Sequence, residues 1–363
     1  MSLKNIIRSA NWRLILPAFL LSCFGLLSIF SSSISRGDFF NFKKQLAAVA
    51  ISLVVAVAVG FVDLRFLKAN SYLIFSLYIL ALSSLAGLLA VASQTRGIQG
   101  WYKLGPISID PEPFVALVLI IVLSKYFSSR HVEINMLRSI AFSGIYVFVP
   151  VFLVLFQPDL GSSLSLIVIW LGMILFSGIR ARHLILLAVL FGLAFALGWN
   201  FYLKDYQKQR IITFLNPTID TRGAAWSAIQ SKIAIGNGGL LGQGIGHGSQ
   251  TQYGFLSEPK TDFIFSAICE EFGFLGIFIL FVIFLALFWQ IISVVFHAHS
   301  NFTRLFAFGF AFLLIAQICI NIGMCLGLFP VVGIPLPFVS YSGSFTLAFY
   351  IGLGILMSLE RKE

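Results

Sequence analysis

Phe274-Leu-Gly-Ile-Phe-Ile-Leu-Phe-Val-Ile-Phe-Leu-Ala-Leu-Phe288 contains no charged or hydrogen-bonding side chain, and it lies within a longer run, 263–293, charged only at Glu270 and Glu271. A continuous stretch of this kind reads as a helix that buries its circumference in lipid and satisfies its backbone internally. Nine further apolar runs fall at about 13–33, 45–62, 70–92, 112–127, 138–156, 161–179, 183–199, 303–328 and 338–358, which gives about ten spans. The whole chain agrees with them: of 363 residues, 59% are hydrophobic and 10% charged, and the mean hydropathy is +0.96. A soluble domain could not hide so much apolar surface. A membrane barrel would instead show many short alternating strands. The expected fold is an all-α, polytopic integral membrane helical bundle, a single domain over 1–363 that includes a long polar loop at 200–262. The basic start and first apolar run have no convincing cleavage site after them, so they read as an uncleaved first helix.

The formal net charge of +10 comes without a basic, aromatic surface domain, which points to anionic lipid or a phosphate-bearing substrate and away from nucleic acid. Cys23, Cys269, Cys319 and Cys325 form no metal-spaced pair and read as small residues of the membrane core. With a cytoplasmic N-terminus, ten spans return the C-terminus to the same side. Arg65, Lys68, Lys125, Arg130, Arg138, Arg180, Arg182 and Arg304 then join the tail residues Lys4, Arg8, Arg13, Arg361 and Lys362 inside, against Arg36, Lys43, Lys44, Arg96 and Lys103 in the short outer loops. This positive-inside bias puts both termini in the cytoplasm and residues 200–262 outside it.

That loop holds Lys204, Lys208, Arg210, Arg222, Lys232 and Lys260 beside Asp205, Asp220, Glu258 and Asp262. Seven of the fourteen residues in 235–248 are Gly, which argues against a regular helix there. Such a run either presents backbone amides to a substrate or is a flexible connection. Asp262, in Thr261-Asp-Phe-Ile-Phe265, lies where the polar loop becomes an apolar helix. It suits a general base whose affinity for protons is raised by desolvation, and equally a helix cap. Glu270 and Glu271 follow eight and nine residues later. They line an outer polar cavity or make local pairs between helices. Asp159, in Pro158-Asp-Leu-Gly161, is a turn carboxylate, while Arg210 and Lys204 suit either diphosphate oxygens or lipid headgroups. His247 is a lone loop histidine, and Trp101 and Tyr102 suit an interfacial anchor. Gly333-Ile-Pro-Leu-Pro-Phe-Val-Ser-Tyr-Ser-Gly-Ser344 interrupts helical continuity before the last span. No spacing marks a zinc or haem site.

Four stretches are together specific: Phe214-Leu-Asn-Pro217; Gln230-Ser-Lys-Ile-Ala-Ile-Gly236; Thr261-Asp-Phe-Ile-Phe265 with Glu270-Glu-Phe-Gly273; and Asn321-Ile-Gly323 leading into Pro330-Val-Val-Gly-Ile-Pro-Leu-Pro-Phe-Val-Ser-Tyr341. Across essentially its whole length the chain resembles the SEDS family (shape, elongation, division and sporulation), and its rod-shape branch more than its division branch. The resemblance implies a peptidoglycan glycosyltransferase of the bacterial cytoplasmic (inner) membrane that polymerises lipid II outside the cytoplasm during cell elongation. It implies Asp262 as the catalytic carboxylate and Arg210, with Lys204 or Lys208, as the cations for diphosphate. Asp159, Lys260, Glu270 and Glu271 are further substrate-binding candidates, and Trp101 is implied in activation or partner contact. A class B penicillin-binding protein transpeptidase, the elongation machinery and membrane lipid are the implied partners. A divalent cation could assist the diphosphate, although no motif requires one.

Three departures stand out. Asp110-Pro-Glu-Pro-Phe-Val-Ala116 occupies the place of a family motif that carries a Lys where Ala116 stands. Lys260 replaces a usual His, and Tyr341-Ser-Gly-Ser344 replaces Tyr-Gly-Gly-Ser. Direct displacement at the donor sugar, with undecaprenyl diphosphate leaving, would invert the linkage and make a β-1,4 glycan. A transporter of a lipid-linked precursor, for which intramembrane Glu270 and Glu271 speak, and a non-catalytic scaffold of the elongation complex are the competing functions.

Overall fold

The computed structural model describes residues 12–34, 37–92, 99–105, 107–129, 137–216 and 225–361. Of the residues singled out above, Lys4, Arg8, Arg36, Arg96, Arg130, Pro217, Asp220, Arg222 and Lys362 lie outside them.

Ten long helices occupy the ten predicted runs: α1 (Trp12–Ile34), α2 (Phe40–Phe61), α4 (Ser71–Val91), α5 (Glu112–Ser128), α6 (Leu137–Phe156), α7 (Leu160–Phe176), α8 (Ala181–Phe201), α12 (Ile264–His297), α13 (Asn301–Leu326) and α14 (Gly343–Arg361). Eight are long and apolar enough to cross a membrane. The other two, α5 and α7, have 17 residues each. Their ends follow local chemistry. The Asn70 side chain accepts from the amides of Tyr72 and Leu73 to open α4, and Ser300 accepts from Thr303 to open α13. The α13 helix closes in a Schellman turn at Gly327, with Leu328 N–H on the Gly323 carbonyl at 2.7 Å.

Central to the bundle is α5, which packs against α4, α6, α7, α13 and α14. Its Ala116, Leu119, Ile120 and Leu123 are fully buried, together with Phe306, Phe310 and Leu314 of α13 and Leu353 and Leu356 of α14. Outward faces such as Val54, Leu80, Phe152 and Leu285 are exposed and apolar, as lipid-facing positions must be. The α8 helix stands apart: His183 is its one buried residue. Two short strands, β1 (Tyr102–Leu104) and β2 (Ile107–Ile109), form an antiparallel hairpin ahead of α5. The small α3 (Arg65–Ala69) joins α2 to α4.

Two expectations are corrected. Residues 200–262 form more than a loop, since α9 (Asp205–Leu215), α10 (Trp226–Asn237) and α11 (Ser249–Gln252) lie in them. Helix α10 also runs through Gly236, into the glycine-rich stretch read as non-helical. Helix α12, in turn, is two helical pieces meeting at Gly273, whose φ of 64° and ψ of −163° leave the helical region. A Cβ there would lie 2.2 Å from the Gly242 nitrogen, so both the backbone angles and the close approach require glycine. Cys269 and Cys325 are buried within the bundle, whereas Cys319 is exposed on α13.

Candidate functional site

Residues 260–262 precede α12, so the helix ladder cannot satisfy their carbonyls. Each is held by another part of the chain. The Tyr341 amide donates to the Lys260 carbonyl at 2.8 Å, Ser340 Oγ to the Thr261 carbonyl at 2.7 Å, and Asn321 Nδ2 to the Asp262 carbonyl at 3.0 Å. The residue that opens α12, Phe263, makes no side-chain cap bond, and Thr261 Oγ1 reaches Glu258 at 3.4 Å. The Asp262 carboxylate faces Gly333, where a Cβ would lie 3.6 Å from its Oδ2.

The irregular segment 330–334 joins this carboxylate to the other two candidates. Arg210 Nη1 donates to the Val331 carbonyl at 3.2 Å. A Cβ on Gly161 would lie 2.6 Å from the Val332 oxygen, an approach that only glycine permits. Three consecutive residues of one segment thus meet Arg210, the Pro-Asp-Leu-Gly turn and Asp262. Asp159 opens α7 as its cap, accepting from Ser162 N at 3.1 Å and Ser162 Oγ at 2.7 Å. The α9 helix docks on the same turn, where Gln207 Nε2 donates to the Pro158 carbonyl at 3.3 Å and Tyr206 Oη at 3.4 Å. Arg210 follows one turn later, 5.9 Å from the Tyr206 ring centre.

Two neighbouring cavities share Arg210, Pro330 and Val331. One continues to Lys232, Phe214, Ile229 and Phe329, the other to Asp159, Tyr206 and Gln207. The first therefore pairs two cations with apolar walls, and the second sets one cation against one carboxylate. Asp262 lines neither, but lies at the next residue of the segment that walls both.

The sequence profile of the FtsW/RodA/SpoVE cell cycle proteins matches residues 11–363. The chain belongs to this family. It is 34% identical over 328 residues to the Escherichia coli K12 protein named peptidoglycan glycosyltransferase MrdB, covering 90% of this chain and 88% of that one. It is 32% identical to stage V sporulation protein E of Bacillus subtilis, with 97% of both chains covered. Among solved structures, it matches a chain of a peptidoglycan synthase complex described as coordinating polymerization and crosslinking. That match has a TM-score of 0.81 and 28% identity, and covers 97% and 98% of the two chains. It also matches the rod shape determining protein RodA of Thermus thermophilus, at a TM-score of 0.72 and 27% identity over 97% of each.

Other predicted residues of this FtsW/RodA/SpoVE protein lie elsewhere. Glu270 and Glu271 are 0% and 1% exposed, and neither lines the two cavities. Glu270 accepts from the amides of Gln250 and Thr251 at 2.7 and 3.0 Å, from Thr251 Oγ1 at 2.7 Å and from Ser249 Oγ at 3.3 Å. Glu271 Oε1 takes Ser31 Oγ at 2.6 Å and Gln252 Nε2 at 2.9 Å. The glycine-rich run, read as substrate-facing or flexible, is instead a packed clasp on α12. Gln243 and Gly244 donate to the Glu270 and Glu271 carbonyls, and Phe274 and Leu275 donate back to those of Gly239 and Leu240. Lys260 reaches Ser33 Oγ on α1 at 3.0 Å. Lys204 opens α9 with its amide on Gln207 Oε1, and neither it nor Lys208 lines a cavity with Arg210. Trp101 is half-buried just before β1, and His247 bonds locally to the Ile245 carbonyl.

Two features went unassigned in the sequence. Lys232 faces the first cavity with Arg210; its place in the Gln230-Ser-Lys motif was the available signal. Asp110 and Glu112 form an acidic entrance to α5. Burial pushes the Asp110 carboxyl up to about 7, against the Glu112 amide that bonds it at 2.9 Å, and nearby Asp159 adds to the rise. Glu112 is 4% exposed, and neither of its oxygens has a partner among the described residues. Ala116, one turn further on, is where a lysine would pair with it. Among the described residues no three His, Cys, Asp or Glu side chains are placed to share a metal ion.

Proposed function

We propose that this chain is a peptidoglycan glycosyltransferase that joins lipid-linked disaccharide-peptide units into β-1,4 glycan at the outer face of the bacterial cytoplasmic membrane. The observation that carries the reading is the convergence of Arg210, the Asp159 turn and Asp262 on residues 331–333 in a chain of this family. Asp262 orients and deprotonates the acceptor hydroxyl, which attacks C1 of the donor sugar as undecaprenyl diphosphate leaves with the bonding electrons. Arg210 and Lys232 oppose the charge that grows on the leaving diphosphate, and the apolar walls beside them suit the first units of its lipid. Both termini are cytoplasmic, and lipid II is the substrate. A class B penicillin-binding protein performs the crosslinking, a reading supported by the likeness to a chain of a complex that couples polymerization to crosslinking. The glutamates that spoke for a transporter make their bonds to 249–252 and to Ser31 of α1.

The test is polymerisation of labelled lipid II by purified protein with its transpeptidase partner, comparing wild type with Asp262→Asn at matched folding. Polymer from wild type and a loss of at least about a hundredfold in the variant are expected. Lipid II that crosses the bilayer without polymer would establish transport instead. Full activity in the variant would remove Asp262 from the chemistry.

A further inference from the structure

Helix α13 presents one polar side chain to the site from within its buried face. Asn321 is 0% exposed, and its two Nδ2 hydrogens go to two carbonyls from distant parts of the chain, Asp262 at 3.0 Å and Ile334 at 2.7 Å. Only this amide orientation is compatible with the surroundings, because the flipped one would set Oδ1 against two carbonyl oxygens. Its Oδ1 is buried with no partner among the described residues. Asparagine is a poor helix former, and one with an unmet acceptor is costly in a core where leucine would pack. What the position gains is a bracket. One group ties the backbone of Asp262 to the residue that follows Gly333, the glycine its carboxylate faces. One turn along α13, Cys325 Sγ also approaches the Asp262 carbonyl, at 3.7 Å.

We propose that Asn321 is a positioning residue that fixes the distance between Asp262 and the 331–334 segment on which Arg210 and the Asp159 turn meet. This rests on the reading of Asp262 as the base. The bracket acts on main-chain atoms and touches no substrate; Arg210, the Gly161 contact and the cavity walls meet residues 330–332 and not Ile334, so its loss falls on the carboxylate more than on the cavities. A displacement of about 1 Å at the reacting groups can cost about a hundredfold in rate.

The experiment is steady-state polymerisation of lipid II by Asn321→Leu and Asn321→Asp in complex with the transpeptidase partner, with thermal unfolding measured on the same samples. Folded variants should lose about a hundredfold in kcat, with KM for lipid II within about threefold of wild type, the pattern of an interaction felt in the transition state. Cys325→Ala removes the weaker donor without opening a large cavity, and should lower kcat by about threefold with KM unchanged. A kcat within about twofold of wild type in folded Asn321→Leu, or a loss carried by KM alone, overturns the proposal. If the Asn321 variants do not fold, an unchanged kcat in both Cys325→Ala and Ser340→Ala overturns it instead. Asp262→Asn run in parallel separates the two readings. Its full activity would sink the role of Asp262, whereas its inactivity beside fully active Asn321 variants would sink the bracket alone.

Discussion

Two groups of carboxylates lie within a few turns of one another along the same part of the chain, and their hydrogen bonds distinguish them. Glu270 has its oxygens filled by four donors from residues 249–251 and serves to hold α11, which follows the glycine-rich run that clasps the break in α12. Asp262, half-buried at the head of that helix, has its backbone carbonyl gripped and its carboxylate turned to Gly333, beside the segment that reaches Arg210. A charged residue in an apolar helix is therefore a poor marker of chemistry by itself. Where its oxygens point is the better one.

Glu270→Ala tests the structural half of the comparison most severely. It leaves the Gln250 and Thr251 amides without their acceptor and should cost about 3 kcal/mol, seen as a lower melting temperature in detergent, with turnover per folded molecule near wild type. Lost turnover at an unchanged melting temperature would move Glu270 into the active site and break the comparison. Gly273→Ala, which forces a side chain into disallowed angles and onto Gly242, should cost about 2 kcal/mol in the same assay. Gly236→Ala, which meets open space, should stay within about 0.5 kcal/mol of wild type. Arg210→Ala belongs to the other half: kcat on lipid II should fall about tenfold with little loss of stability, since the charge it meets grows in the transition state, and Lys232→Ala should follow with a smaller fall.

A modest, pH-dependent effect should come from Asp110. Burial pushes its folded-state carboxyl up to about 7, above the ordinary carboxylate value of about 4, so the folded state holds a proton that the unfolded chain has released between those values. Stability should therefore fall as pH rises from about 4 to 7 and level off above, by of order 1 kcal/mol once solvent screening is allowed for. Asp110→Asn should reduce the difference in thermal stability between pH 5 and pH 8.

Hydropathy located all ten long helices because lipid leaves a spanning segment only one way to satisfy its backbone, and every run coincides with a helix. The Thr261-Asp-Phe-Ile-Phe265 motif drew attention to Asp262, and the Asn-Pro motif to Arg210. What the sequence hid was order within the polar stretch. Helix α9 is short and basic, and it forms by docking Tyr206 and Gln207 on Pro158, a partner almost fifty residues earlier. Nor could the glycine run be told from a mobile connection, because its order comes from backbone bonds to residues 270–275 that no periodicity encodes. Glu270 and Glu271 were ambiguous for the same reason. Their donors are amides and hydroxyls that any polar loop possesses.

The 331–334 segment carries a further consequence, for how the sequence can vary. Arg210 and Asn321 bond to the carbonyls of Val331 and Ile334, and Gly161 abuts that of Val332, so these contacts do not read the side chains at those positions. Substitutions there can drift among residues that fit. A deletion or insertion cannot, since one residue more or less moves each later partner by up to about 3.5 Å. Descendants of this chain should vary in the letters of the segment and keep its length.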